Sequence, residues 1–250
     1  MTYNALIYEK KGFVGSITLN LPDSGNAITT RLSEELADVC ASINSDEAIR
    51  VVTIAGAGKH FCVGTDLAHR EQETELPSIA KMIINIDRPV IAAINGDALG
   101  QGLELALACD LRIAVEIAHF GLPQIISGFI PWDGGTQLLP RIIGRGKAME
   151  MILTGETIDA MQAYELGLVN KVVSPKELMP VAVETARIMS LSAPIALRHA
   201  KEAIHKGLEL TLDQGLHLEA DLYFLLQTTE DRTEGIKAFR ERKTPQFKGK

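Results

Sequence analysis

Residues 89–110 read PVIAAINGDALGQGLELALACD, and their parsing decides the fold. Pro89 to Asn95 is a short apolar run, as expected of a strand buried on both faces. Gly96, Gly100 and Gly102 follow, and GLELALA then reads as a helix carrying Glu104. A strand that passes through a glycine-rich loop into a helix aims orphan backbone N–H groups and the positive end of the helix dipole at the loop mouth. Something anionic, or becoming anionic, is favoured there. Two familiar loops are excluded: a dinucleotide fingerprint G-x-G-x-x-G would need glycine where Leu105 stands, and no GK[ST] follows for a phosphate-cradling loop. An oxyanion site with Glu104 beside it remains, or Glu104 as a first-turn partner of its own helix dipole. The segment alone leaves both open.

Working outward, ALIYE and VGSITLN predict an opening pair of strands. A helix from about Thr30 follows, with Leu32, Leu36, Val39, Cys40 and Ile43 on one face. VVTIAG is a further buried strand, SIAKMIINI a helix and DLRIAVE a strand, the rhythm of a sheet with crossover helices. Beyond Asp133 the pattern turns helical. Asp159 with Gln162 makes a capping box stopped at Gly167, and Ser174, Pro175 and Glu177 predict a cap, a first-turn proline and a box partner for the next helix. From Ser192 on, only helices are expected. The fold class is α/β, with residues 1–190 as the α/β body and 191–250 as a helical region.

The chain of 250 residues is 46% hydrophobic with a formal charge of -7. That charge disfavours a nucleic-acid partner, which asks for a basic face. Cys40, Cys62 and Cys109 are dispersed and contain no CxxC pair, so neither a disulfide framework nor a metal site is expected. MTYNALIYEKKG lacks the apolar core of a signal peptide, and no run approaches the roughly 18 apolar residues of a membrane span. A soluble, cytoplasmic protein without a membrane partner is the expectation.

A second glycine loop, GKHFCVGTDL, also follows a buried strand. Together the loops resemble the paired signatures of the crotonase superfamily, the enoyl-CoA hydratase/isomerase family. Lys59 to Leu67 is similar to its [KR]xFCxGxDL segment and Pro89 to Asp110 to its PVIAAxNGxAxGxGxELALACD segment. Phe120 to Gly144 resembles FGLPxxxxGxxPxxGGTQxLPRxxG, and Phe239 to Phe247 the FxERxxPxF tail. The likeness covers nearly the whole chain.

The resemblance implies a crotonase-like spiral of ββα units with a C-terminal helical region, assembled as a homotrimer or homohexamer. It implies an acyl-CoA thioester substrate with no separate cofactor, coenzyme A being part of the substrate. By motif position the backbone N–H groups of Thr65 and Gln101 form an oxyanion hole. Gln101 stands where glycine is frequent. Lys59, Phe61, Gly64, Asp66, Leu67, Gly100, Trp132 and Lys243 are candidate substrate or CoA contacts, with Arg70, His60 and His69 as lesser ones. Residues 70–78 would roof the acyl pocket.

Glu104 corresponds to one of the two acid/base glutamates of the family's hydratases. The other would end FGLPE, and here that position is Gln124, whose amide can orient a partner but not exchange a proton. Asp133 is the candidate replacement. It is either the N-cap of the helix beginning GGTQLL, or a second carboxylate like the loop aspartate of the chlorobenzoyl-CoA dehalogenase-like and diketone-cleaving branches. His119 reads as a structural histidine. The expected reaction is hydration or dehydration of an enoyl-CoA. Double-bond isomerisation, carbon–carbon hydrolysis of a cyclic β-dicarbonyl compound and a catalytically silent acyl-CoA binder are the alternatives.

Overall fold

The computed structural model describes residues 3–65 and 78–250. In chain order its elements are β1 (Leu6–Lys11), β2 (Val14–Leu19), α1 (Thr30–Ser45), β3 (Val51–Gly56), α2 (Ile79–Ile84), β4 (Val90–Ile94), β5 (Ala98–Leu99), α3 (Gln101–Ala108), β6 (Leu111–Val115) and β7 (His119–Gly121). After a 3₁₀ turn at Pro123–Ser127 come α4 (Gly135–Ile143), α5 (Arg145–Thr154), β8 (Thr157–Asp159), α6 (Ala160–Glu165), β9 (Lys171–Val173) and α7 (Leu178–Ser190). The chain ends in α8 (Pro194–Gly207), α9 (Leu212–Leu226) and α10 (Glu230–Glu241).

Successive turns of chain lay one strand in a large sheet and a shorter one in a small sheet. The large sheet runs β1-β2-β3-β4-β6-β9, parallel except for the opening β1/β2 pair, and the small sheet runs β5-β7-β8. β4 pairs with β6 in one sheet while β5 pairs with β7 in the other, so each turn is stacked one strand along from the last. The preceding turn is aligned in the same way, β3 pairing with β4 and Cys62 bridging Ala98. This is the expected α/β spiral.

Burial follows from the layering. β4 is buried along its length, as a parallel strand covered on both faces must be, whereas β2 alternates. α1 buries the five residues of its apolar face and is capped by Thr29, whose Oγ1 accepts from the Leu32 N–H. α3 is buried all round, Glu104 included. Cys40, Cys62 and Cys109 are free and buried, and burial pushes each thiol up to about 12.

Two details correct the sequence reading. β8 and β9 interrupt the stretch read as purely helical after Asp133; at three residues each they are too short to display a period of two. Ser174 does donate to Glu177 Oε2, from both its N–H and its hydroxyl, but this closes a turn and α7 begins only at Leu178. The Asp159–Gln162 capping box is present as read. Asp110 links the helical C-terminal part to the sheet. Lys201 Nζ on α8 donates to the Asp110 carboxylate (2.7 Å) and to the Arg88 carbonyl (2.9 Å), while His205 pairs with the other carboxylate oxygen.

Candidate active site

The two glycine loops meet because the Cys62–Ala98 bridge registers one against the other. Cys62 N–H donates to the Asp97 carbonyl and Leu99 N–H to the Cys62 carbonyl. Glycine is required where they cross: a Cβ on Gly102 would lie 2.1 Å from the Cys62 carbonyl oxygen. Gly64 (φ +103°) and Gly100 (φ +52°) hold left-handed conformations immediately before Thr65 and Gln101. Gln101 opens α3, where an N–H has no acceptor within its own helix. Among the described residues no backbone acceptor takes it or the Thr65 N–H.

A pocket of ≈ 270 Å³ opens over this junction. Gly64, Thr65, Gly100, Gln101 and Gln124 line its polar side, and Phe129, Ile130 and Trp132 its apolar side. Phe129 and Ile130 escaped the sequence reading, although an apolar FIPW run in a loop was a signal for them. Val63 lines both this pocket and a neighbouring cleft that contains Lys59 and His60. Phe61 is fully buried in the core and does not line the pocket. Lys243 pairs with Glu241 in the tail, and His119 is held by Asp97. Asp66, Leu67, His69 and Arg70 lie outside the described residues.

Glu104 is fully buried, yet its carboxylate does not serve its own helix. Oε1 accepts from the backbone N–H groups of Asp133 and Gly135, both at 2.8 Å, so Glu104 stabilises the start of α4 instead. Oε2 meets the Gln124 amide nitrogen at 3.3 Å. Burial outweighs the two backbone donors, and the carboxyl is pushed up from 4.5 to about 7. The Gln124 carbonyl oxygen is buried without a partner among the described residues.

Asp133 also caps a helix other than its own. Gly134, not Asp133, is the N-cap of α4, and it has no side chain of its own with which to cap it. The Asp133 carboxylate accepts from the Ser78 hydroxyl, from the Ile79 and Ala80 N–H groups at the start of α2, and from Gln101 Nε2 at 2.8 Å. The reading of Asp133 as cap of its own helix is therefore corrected. The backbone turns its N–H toward Glu104, which leaves the side chain directed at α2. Gln101 completes a chain of bonds by accepting from Thr65 Oγ1 at 2.8 Å.

The family description enoyl-CoA hydratase/isomerase matches residues 9–250. The chain belongs to this family. Its spiral is the crotonase fold, and the family acts on acyl-CoA thioesters. Within the enoyl-CoA hydratase/isomerase family, YngF of Bacillus subtilis (strain 168) is 46% identical, with 96% of each chain covered. The crotonyl-CoA hydratase of Syntrophomonas wolfei is 36% identical over 99% of each. The crystal structure of an enoyl-CoA hydratase from Bacillus anthracis superposes with a TM-score of 0.95 at 42% identity, covering 99% of this chain and all of that one.

Proposed function

We propose that this protein adds water reversibly across the double bond of an enoyl-CoA thioester, with Glu104 as its acid/base and the Thr65 and Gln101 N–H groups as its oxyanion hole. The environment of Glu104 carries this reading. One oxygen is locked by two backbone donors and the other lies beside Gln124. A buried carboxyl near 7 is poised both to take and to return a proton. In the forward direction the Glu104 carboxylate takes a proton from water as the water oxygen bonds to the β-carbon. The double-bond electrons pass into the thioester oxygen, forming an enolate between the two N–H groups, where donors of this kind lower a barrier by about 3 to 4 kcal/mol. Collapse of the enolate draws the proton from Glu104 to the α-carbon, so one water is added and the carboxylate is regenerated. No redox group is needed.

In this mechanism Gln124 orients water or substrate with its carbonyl, which has no partner among the described residues. Asp133, with four donors already on its oxygens, is a poor candidate for the second proton carrier. The shared Val63 wall supports a path for the CoA moiety from the pocket into the Lys59 cleft. Crotonyl-CoA hydratase, the name of one relative, supports a short linear acyl chain. The amide at Gln124 favours one alternative, double-bond isomerisation, because a single base can move a proton between two carbons.

Incubation with linear, cyclic and aromatic enoyl-CoAs in ¹⁸O-water, read by mass spectrometry, separates these reactions. The expected result is gain of one labelled water. A shifted double bond without a mass change would make the protein an isomerase, and cleavage products would overturn both readings.

A further inference from the structure

The two residues whose backbones form the proposed oxyanion hole are also joined through their side chains. Thr65 Oγ1 donates to Gln101 Oε1, and Gln101 Nε2 donates to Asp133 Oδ2, both at 2.8 Å. Gln101 and Asp133 are 1% and 2% exposed, so water does not compete for the bond between them, while the Thr65 bond lies at the pocket wall. Each N–H donor follows a glycine in a left-handed conformation, a backbone with unusual freedom. Asp133 is anchored from the far side by Ser78, Ile79 and Ala80, while its own N–H holds Glu104. One residue thus connects the base, through its main chain, to the oxyanion donors, through its side chain.

We propose that Gln101 and Asp133 form a positioning pair that sets the geometry of the oxyanion hole, with the Asp133 carboxylate acting on the oxyanion donors only through Gln101. The proposal rests on the acyl-CoA reading above. Gln101 occupies the pair because an amide can accept from Thr65 and donate to a carboxylate at once, which a glycine there could not do. The backbone bonds of Gly64 and Gly100 hold the two loops, and the pair adds a side-chain tie that fixes the two N–H groups relative to each other before reaction.

Acetoacetyl-CoA is a suitable probe, because its bound enolate reads the oxyanion hole directly in the ultraviolet without turnover. Gln101→Gly and Asp133→Asn should each raise the pH at which bound acetoacetyl-CoA becomes enolate by about one unit, a tenfold loss of oxyanion stabilisation. Affinity for saturated butyryl-CoA should stay within about threefold, since only the charged form loses a well-placed partner. The double variant should be no worse than Gln101→Gly alone, because the second change then removes a bond already lost.

A further shift on adding Asp133→Asn to Gln101→Gly would mean that Asp133 acts directly on the ligand, and the proposal would fall. Unchanged enolate titration in folded single variants would also overturn it. Should Asp133→Asn fail to fold, as judged by melting, Gln101→Gly decides alone: an unshifted titration in that folded protein rejects the pair. Failure of the unmodified protein to bind either thioester would remove the acyl-CoA reading itself, and the proposal with it.

Discussion

Glu104 illustrates how one side chain acquires chemistry from its surroundings. Burial raises its carboxyl from 4.5 to about 7, so the folded protein binds that proton more tightly than the unfolded chain. Its contribution to stability is fully present below about pH 4.5 and is lost as pH rises through about 7. Glu104→Gln removes the titration, and the variant's melting temperature relative to the parent should climb between those two values. Parallel melting scans across pH check this. Turnover of an enoyl-CoA by the same variant should fall by a factor of about 10² to 10⁴ with little change in thioester affinity, read as kcat against KM.

At the scale of elements, the fastening of α8 to the sheet depends on an ammonium. Burial alone would raise the Asp110 carboxyl, but His205 and Lys201 outweigh it and hold it below the usual range. Lys201→Met leaves that carboxylate short of a partner and should cost about 3 kcal/mol in chemical denaturation. Part of the loss should be recovered in the double variant with Asp110→Leu, which removes the under-partnered carboxylate but also the acceptor of the Val90 N–H. Asp110 could be quoted from the sequence as the end of a motif, but its partners lie ninety residues and more away and no local pattern announces them.

The same distinction runs through the site. Strands and helices with a full period, such as β4 and α1, were legible because burial on two faces or one leaves a repeating mark. The glycine loops were legible because backbone crossing admits no Cβ. What was hidden was reach. Glu104 and Asp133 each look like a cap for a nearby helix, and each spends its carboxylate on the start of another one. Side-chain direction across a tertiary contact is not a local property of the sequence.

On the scale of the whole molecule, α9 and α10 expose Leu212, Leu216, Tyr223, Phe224, Leu225 and Phe239. Apolar groups gathered on such helices favour burial against another surface, as the homotrimer or homohexamer implied by the sequence resemblance would provide. Sedimentation should give a multiple of the 27.1 kDa chain, and Phe224→Asp should shift the distribution toward the single chain without unfolding it. A single-chain mass for the unmodified protein would withdraw the oligomer.

The three buried thiols turn the molecule into its own stopwatch. With each one held near 12 and screened from solvent, an alkylating reagent at neutral pH finds almost no thiolate until the chain opens. The rate of labelling then counts opening events rather than collisions. Cys62 lies in the first glycine loop, whereas Cys40 lies on the core face of α1. If the loop junction opens independently of the core, Cys62 should be labelled before Cys40, and a tightly bound thioester should delay Cys62 selectively. Peptide mapping of labelled protein over time would show this order, and equal rates at both sites would mean that the loops and the core come apart only together.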